Sequence, residues 1–382
     1  MLQHITESIR TAAAQRKPLR IRGAGSKDFL ADGLQGELLD IAPHSGIVSY
    51  EPSELVITAK AGTPLVELEA ALAAQGQCLP FEPPRLAVSS DGTSDGKAGG
   101  TVGGMVASGL SGPARASAGA LREYVLGVNL INGKAEHLVF GGQVMKNVAG
   151  YDVSRLLTGS WGMLGVITEV SLKVLPLAPA EATLCFEMSQ ADALAQLNHW
   201  GGEPLPLSAS NWVHDKASHN ASGVGKDLLF VRLRGAVAAV EAACKKMLAQ
   251  RPGTRMDNAV AQPDWLRARD MQLPFFAPPS ADVCLWRLSV PQTAPVIKLP
   301  YDQLIDWHGA QRWLWASASQ APHIRAAANA VGGSATLFRG TPLPGTSRFD
   351  HLQAPLDTIH RQLKAEFDPA GIFNPGRMPW FA

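Results

Sequence analysis

The stretch that decides the fold is Arg22-Gly23-Ala24-Gly25-Ser26-Lys27, which directly follows a run predicted to be a strand, Pro18 to Arg22. Glycines allow the backbone N–H groups of such a loop to turn toward one point and allow a ligand to approach closely. A loop of this kind binds an anion, typically a phosphate. A tight surface turn is the alternative, and the segment alone leaves both open. Because Asp28 stands where a third glycine would be, the pattern fits neither a Walker A loop nor a Rossmann fingerprint.

Two further glycine-rich segments follow in the first half of the chain. The segment Gly99 to Gly109 consists almost entirely of small residues, and a helix this thin can lie with its backbone close to a flat ring or a pyrophosphate. Close packing of helix against strand, with no ligand, is the alternative. The segment Gly150 to Thr168 is predicted to be helix, glycine-rich turn and strand. A strand that begins at Gly165 can offer backbone N–H and C=O groups to the edge of an adenine.

The rest of the sequence predicts an α+β protein in which the pattern of strands and helices changes after residue 177. Short strands and helices alternate up to residue 177, including a helix from Thr63 to Gln75 with Thr63 as N-cap and a hairpin at Asn132-Gly133. Pro176-Leu177-Ala178-Pro179 then interrupts the chain. Beyond it, a β-α-β-β-α-β pattern predicts an antiparallel sheet covered by helices. We therefore predict domains at 1–177 and 178–350, with a C-terminal segment, 351–382, that folds back on the first.

Composition excludes several classes of protein. The net charge is +1, from 34 basic and 33 acidic residues, which is not the footprint of a nucleic-acid-binding protein. The four cysteines, at 78, 185, 244 and 284, form no CxxC pair, which argues against an iron–sulfur cluster or a structural zinc, and no metal site is predicted. No signal peptide and no membrane-spanning run is predicted. Eight of the nine tryptophans lie beyond residue 199, most as expected core residues and a minority as candidates for a pocket wall.

Taken together and in order, these segments resemble the flavoproteins of the vanillyl-alcohol oxidase family, which carry a PCMH-type FAD domain. Within that family they are most similar to the FAD-binding subunits of bacterial glycolate oxidases. The matching segments are Ile21 to Lys27, Gly100 to Gly109, Met145 to Asp152, Gly162 to Thr168 and Phe367 to Arg377. The resemblance implies a PCMH-type domain of two α+β subdomains, followed by an antiparallel-sheet cap domain with helices.

The resemblance also implies the cofactor and the residues that hold it. FAD is expected with its pyrophosphate on the first loop, its other side against the second segment and its adenine on the backbone near Val166. The residues assigned to FAD are Arg22, Gly23, Ala24, Gly25, Ser26, Lys27, Gly100, Thr101, Val102, Gly103, Gly104, Ala107, Ser108, Gly109, Gly165, Val166, Ile167 and Asn374. Some members of the family attach FAD to a histidine in the first loop, where this chain has Ser26-Lys27, so non-covalent FAD is expected. A polar segment, Ser89 to Ala98, departs from the family pattern.

Oxidation of a 2-hydroxy acid also requires a base and a cation that holds the carboxylate. Arg287 and Arg339 lie on apolar predicted strands and are the candidates for a carboxylate clamp beside the flavin, with a structural ion pair as the alternative for each. His308 and His323 are candidates for the base by location alone. A structural or surface role is the favoured interpretation of both histidines.

The function expected from the resemblance is that of a subunit in a glycolate oxidase complex. The implied partners are a sister FAD-binding catalytic subunit and an iron–sulfur subunit, and the implied substrate is a small 2-hydroxy acid. A cytoplasmic protein is expected, attached to the inner membrane only through that complex. The alternatives are a self-sufficient FAD-dependent oxidase or dehydrogenase for another small alcohol or 2-hydroxy acid, and a flavin-free structural subunit.

Overall fold

The computed structural model describes residues 1–31, 35–86, 99–142, 152–219 and 225–378. The polar segment Ser89 to Ala98 and the matching residues Met145 to Tyr151 lie outside the described residues. The helices are α1 (Leu2–Gln15), α2 (Leu65–Ala73), α3 (Val102–Ser108), α4 (Arg115–Ala118), α5 (Val153–Leu156), α6 (Gln190–Gly201), α7 (Val237–Gln250), α8 (Asn258–Arg269), α9 (Ala321–Asn329) and α10 (Leu356–Phe367). None of these helices is both long and apolar enough to cross a membrane.

The strands alternate with these helices, and the α+β class predicted from the sequence is confirmed. They are β1 (Leu19–Arg22), β2 (Glu37–Asp40), β3 (Ile47–Glu51), β4 (Val56–Lys60), β5 (Gln77–Cys78), β6 (Val125–Ile131), β7 (His137–Gly141), β8 (Val166–Lys173), β9 (Leu175–Pro176), β10 (Ala180–Glu187), β11 (Leu207–His219), β12 (Gly225–Gly235), β13 (Thr254–Arg255), β14 (Cys284–Ser289), β15 (Gln303–Asp306), β16 (Gln311–Ala316) and β17 (Ser334–Arg339). The chain forms two compact units.

Unit 1 contains residues 1–111, 120–177 and 351–382. Its main sheet has the strand order β3-β4-β8-β6-β7 with antiparallel neighbours, and β1 and β2 form a separate parallel pair. Helix α1 contributes Ile5, Ile9 and Ala12 to the core, because spacings of four and three residues place them on one helical face. The predicted hairpin at Asn132-Gly133 is the β6–β7 connection.

Helix α2 begins at Leu65, one residue later than predicted with Thr63 as the N-cap. The hydroxyl of Thr63 does not cap it, because it donates to the Gly46 carbonyl at 3.1 Å and accepts from the Gly46 N–H at 2.9 Å. Pro64 takes the N-cap position instead, and the helix ends at Ala73. A long-range contact thus outcompetes the local capping preference of the threonine.

Unit 2 contains residues 112–119 and 178–350. Its sheet has the order β13-β10-β12-β11-β15-β16-β14-β17, and the paired neighbours are antiparallel. Helices α6, α7 and α9 pack on one face of this sheet, over two apolar clusters. The other face carries aromatic and charged side chains, among them Arg232, Arg287 and Trp313.

The C-terminal tail is fixed to unit 1 by a buried lysine on α10. The ammonium of Lys364 donates to the carbonyl of Met163 at 2.7 Å, to the carbonyl of Phe373 at 3.0 Å and to the carboxylate of Asp368 at 2.7 Å. The side chain of Asp368 is fully buried. One buried ion pair therefore joins the helix, the tail and the turn that contains Met163.

Replacing Lys364 by methionine is expected to destabilise the protein by about 3–5 kcal/mol, because Asp368 would remain buried without a counter-charge. Urea unfolding followed by circular dichroism measures the change. The matched control is Arg361→Met on the same helix, whose partner is Asp357 at the same i,i+4 spacing but with side-chain exposures of 56% and 30%. That variant is expected to change stability by less than about 1 kcal/mol. Equal losses in the two variants would contradict the anchoring role.

Candidate functional site

One cleft in unit 1 collects all three glycine-rich segments. Its lining residues are Ile21, Arg22, Gly23, Ala24, Gly25, Ser26, Lys27, Asp28, Ile41, Ala61, Thr101, Gly103, Gly104, Ala107, Ser108, Trp161, Gly162, Gly165, Ile167, Asn374 and Arg377. Of the residues predicted to hold FAD, Gly100, Val102, Gly109 and Val166 are not among them. The assignment of individual residues to FAD stays a prediction.

The first loop has the donors that an anion requires. The backbone N–H groups of Ala24, Gly25, Ser26 and Lys27 donate to no acceptor within the described part of the chain. Gly25 has a φ of 73°, in the left-handed region that glycine adopts at little cost, and this turns the loop back on itself. Successive free amides in such a turn form a concave anion-binding nest.

The charges of the cleft also favour an anion. Arg22, Lys27 and Arg377 line it against a single carboxylate, that of Asp28, which pairs with Arg22 at 2.8 Å. The ammonium of Lys27 is buried, and its recorded hydrogen bond goes to Ser26 Oγ at 3.3 Å. Burial, and then the positive charge of Arg377, lower the pKa of Lys27 to about 8. Two cations that repel each other beside free amides fit the pyrophosphate of a dinucleotide.

Helix α3 supplies a thin wall rather than a phosphate site. Its N-terminal amides are already used, because Val102 N–H donates to Thr63 O at 2.9 Å and Gly103 N–H to Ala61 O at 2.7 Å. A Cβ on Gly103 would lie 2.7 Å from the Cβ of Ala61, so only glycine permits this packing. The helix presents Gly103, Gly104, Ala107 and Ser108 to the cleft. This narrow face can accept a flat group.

Asn374, in the tail, joins two walls of the cleft. Its side-chain oxygen accepts from Ile21 N–H at 2.9 Å, and its Nδ2 donates to Trp161 O at 2.8 Å. A Cβ on Gly162 would lie 2.7 Å from that Nδ2. Since both ends of the amide have protein partners, Asn374 positions the first loop against the turn before β8.

Seven lining residues of this cleft were not predicted to hold FAD, and two of them, Arg377 and Trp161, contact each other. The guanidinium of Arg377 donates to Lys27 O at 3.1 Å and lies 5.1 Å from the ring centroid of Trp161. Arg377 closes the segment Phe367 to Arg377 that was matched to the family, so a signal for it was present. Trp161 lies in the glycine-rich turn, where its φ of 54° gave no sequence signal.

Arg287 and Arg339 lie on the aromatic face of the unit 2 sheet, on β14 and β17. The guanidinium of Arg287 is 5.6 Å from the ring centroid of Phe338, and its Nε has no hydrogen-bond partner. Burial, and then the charge of Arg115, lower the pKa of Arg287 to about 10. Arg339 instead has Nη2 4.0 Å from the sulfur of Met271. The charge of Arg115, on α4 of the same unit, thus acts on Arg287, and the sequence did not indicate it.

Strand β15 of the same sheet ends at an acid, Asp306, and the turn after it carries His308. The carboxylate of Asp306 accepts from Asn211 Nδ2 at 2.6 Å and from Trp313 Nε1 at 3.1 Å, and burial raises its pKa to about 6. Sequence reasoning had not selected this acid.

His308 is buried between two hydroxyls. Its Nδ1 and its backbone N both lie within hydrogen-bond distance of Ser210 Oγ, at 2.9 and 3.0 Å, and its Nε2 lies 2.9 Å from Ser117 Oγ. Each ring nitrogen of His308 therefore has a serine hydroxyl as its partner, and a hydroxyl can both donate and accept. Burial lowers the pKa of His308 to about 4, so it is neutral at pH 7. His323 lies exposed on α9.

Comparison with known proteins places the chain among flavoproteins. The family described as FAD binding domain matches residues 2–141. Glycolate oxidase subunit GlcE of Escherichia coli K12 is 44% identical over 376 residues, which are 98% of this chain and 97% of that protein. Glycolate oxidase subunit GlcD of Bacillus subtilis 168 is 28% identical over 196 residues, 50% of this chain and 39% of that protein.

A similarity of fold extends over nearly the whole chain. A solved structure of alkyldihydroxyacetonephosphate synthase superimposes with a TM-score of 0.66 over 98% of this chain and 75% of that chain. At 14% sequence identity this similarity concerns the fold alone.

Proposed function

Since the chain belongs to the family of the glycolate oxidase subunit GlcE, we propose that it is the FAD-binding subunit of a glycolate oxidase complex, which oxidises glycolate to glyoxylate. The observation that carries the proposal is the cleft of unit 1, where four amides of the first loop have no acceptor among the described residues and three cations stand against one carboxylate. A surface turn gives no reason to bury the ammonium of Lys27 without a carboxylate partner in the described part of the chain. This favours a ligand with phosphate groups over the structural alternative.

FAD is held without a covalent bond in this proposal. The first loop, Lys27 and Arg377 receive the pyrophosphate, and the thin face of α3 lies along the cofactor. The backbone of β8 near Val166 offers its edge to the adenine. FAD, when bound, supplies the two-electron oxidation of the CH–OH group. Ser26 and Lys27 carry no imidazole for a covalent link.

The substrate carboxylate is proposed to bind at Arg287. The charge of Arg115 disfavours the charged form of Arg287, and a carboxylate bound at Arg287 would relieve that repulsion. Asp306 is proposed to take the hydroxyl proton, because its carboxylate is hydrogen-bonded to Trp313, the cross-strand partner of Arg287, and burial raises its pKa to about 6. His308 has both ring nitrogens engaged and keeps a structural role. Arg339 remains the second candidate for the clamp.

The complex is proposed to contain a sister flavoprotein subunit and an iron–sulfur subunit that takes the electrons onward. No metal-binding group of His, Cys, Asp or Glu is found among the described residues, so clusters are assigned to a partner. The proposed location is cytoplasmic, with any membrane contact made through the complex.

The test is the visible absorption spectrum of the purified chain before and after acid precipitation. We expect flavin bands, and yellow colour released into the supernatant, because the cofactor is not covalently attached. Anaerobic glycolate is then expected to bleach the flavin in the co-purified complex. Colour that stays in the pellet would contradict non-covalent attachment, and a folded, colourless chain that does not take up added FAD would favour a structural subunit.

A further inference from the structure

A large cavity lies in unit 2, on the face of the sheet opposite α6 and α7. Its volume is about 850 Å³, within the range of small-molecule sites. The floor is formed by β11, β12, β15 and β16, and the roof by α8 and the residues that follow it. The aromatic side chains of the wall are those of Phe230, Trp265, Phe275, Tyr301 and Trp315.

The polar groups of this wall are almost all engaged within the protein. The indole N–H of Trp265 donates to Thr183 Oγ1 at 2.9 Å, and that of Trp315 donates to Phe275 O at 2.7 Å. The lysine and the arginine at the cavity each have a carboxylate partner, Lys216 with Asp302 at 2.5 Å and Arg267 with Asp264 at 3.0 Å. The Nδ1 of His214 lies 2.7 Å from a carboxylate oxygen of Asp227. An anionic ligand would therefore have to compete with carboxylates that these cations already hold.

Tyr301 differs from the other polar residues of the wall in its hydrogen bonding. Its hydroxyl has no hydrogen-bond partner among the residues that the structure describes. A phenol hydroxyl beside an apolar cavity usually finds a partner, because leaving it unpaired on desolvation is costly. The wall thus offers broad aromatic surface and one free hydrogen-bonding group.

We propose that this cavity binds a neutral, planar aromatic molecule with one hydroxyl or carbonyl group, stacked on the wall tryptophans and hydrogen-bonded to Tyr301. The site shares no lining residue with the FAD cleft, and neither Arg287 nor Arg115 lines it, although Asn211 in its wall donates to Asp306.

A peptide segment from a partner protein fits the same wall less well. A buried peptide brings several N–H and C=O groups that all need partners. The floor strands have none to offer, because β11 is paired with β12 and β15, and β16 is paired with β15 and β14. A ring with a single polar group leaves no such groups unsatisfied.

The test is isothermal titration calorimetry of the full chain with 2-naphthol and with its charged analogue 2-naphthoate. We expect 2-naphthol to bind and 2-naphthoate to bind at least about tenfold more weakly, because its carboxylate would be desolvated without a partner. Tyr301→Phe is expected to weaken 2-naphthol binding about three- to tenfold by removing one hydrogen bond.

A cavity-filling variant separates this site from surface adsorption. Ala268 on α8 lines the cavity, so Ala268→Phe is expected to abolish binding while the protein stays folded. Ala259→Phe is the matched control, because Ala259 lies exposed on the same helix and away from the cavity. No binding of 2-naphthol, or equal binding to both phenylalanine variants, would overturn the proposal. Loss of a partner subunit from the Ala268→Phe protein, without any effect on 2-naphthol binding, would overturn it in favour of a peptide.

Discussion

Replacing both Lys27 and Arg377 by methionine is expected to weaken FAD binding by at least about 100-fold. Each cation can make a charge-assisted hydrogen bond to a phosphate, and such bonds contribute about 1.5–3 kcal/mol apiece. Both side chains are held in place before the ligand arrives, because Arg377 lies on Trp161 and bonds to Lys27 O, and the ammonium of Lys27 is buried and donates to Ser26 Oγ. Titration of the apoprotein with FAD, followed by flavin fluorescence, measures the change.

The control is a variant with the same change of charge elsewhere in unit 1. Arg122 and Lys134 are exposed and do not line the cleft, so replacing both by methionine is expected to change FAD affinity less than about threefold at physiological salt. Equal losses in the two double variants would show that general electrostatics, and not the first loop, determines the affinity.

The affinity for FAD is also expected to depend on pH, through the ionisation of Lys27. Without ligand, half of the Lys27 side chains are neutral near pH 8, because the pKa is lowered to about that value. A phosphate favours the charged form and raises the pKa again. FAD binding at pH 8.5 is therefore expected to take up protons, and its affinity to fall as the pH rises further. Titrations in buffers of different ionisation enthalpy measure the uptake, and Lys27→Met is expected to remove it.

The glycine segments could be recognised from the sequence because each imposes a local condition. A free-amide loop needs glycine at positive φ, and a close helix–strand contact excludes a Cβ, as at Gly103. The family, the α+β class and FAD were predicted in this way and are confirmed by the comparisons. Interactions between residues that are far apart in the sequence could not be predicted in this way. Thr63 is diverted from the helix cap by Gly46, and Arg115 becomes relevant only because the fold carries its charge toward Arg287.

Arg287→Met is expected to weaken binding of oxalate, a probe for the substrate carboxylate, by roughly 30- to 1,000-fold, or about 2–4 kcal/mol, as for other buried charge contacts. The same change is expected to leave the stability of the ligand-free chain unaffected or slightly raised. Arg287 has no recorded ion pair among the described residues, its Nε is unbonded and Arg115 repels it, so methionine removes an unfavourable charge. A structural ion pair, the alternative drawn from the sequence, would give the opposite result, with lost stability and unchanged oxalate affinity.

Three further variants locate the clamp. Arg115→Met is expected to weaken oxalate binding as Arg287→Met does, because both cations would face the same anion. Arg255→Met, on the surface of the same unit and paired with Glu241, is expected to have no effect on oxalate. Calorimetric titration of oxalate into the FAD-loaded chain gives these affinities without any need for turnover. If Arg339→Met abolishes binding while Arg115→Met does not, the clamp consists of the two strand arginines. If none of the four variants alters oxalate affinity, the substrate carboxylate binds elsewhere in the complex. A different anion would then have to be the partner of Arg287.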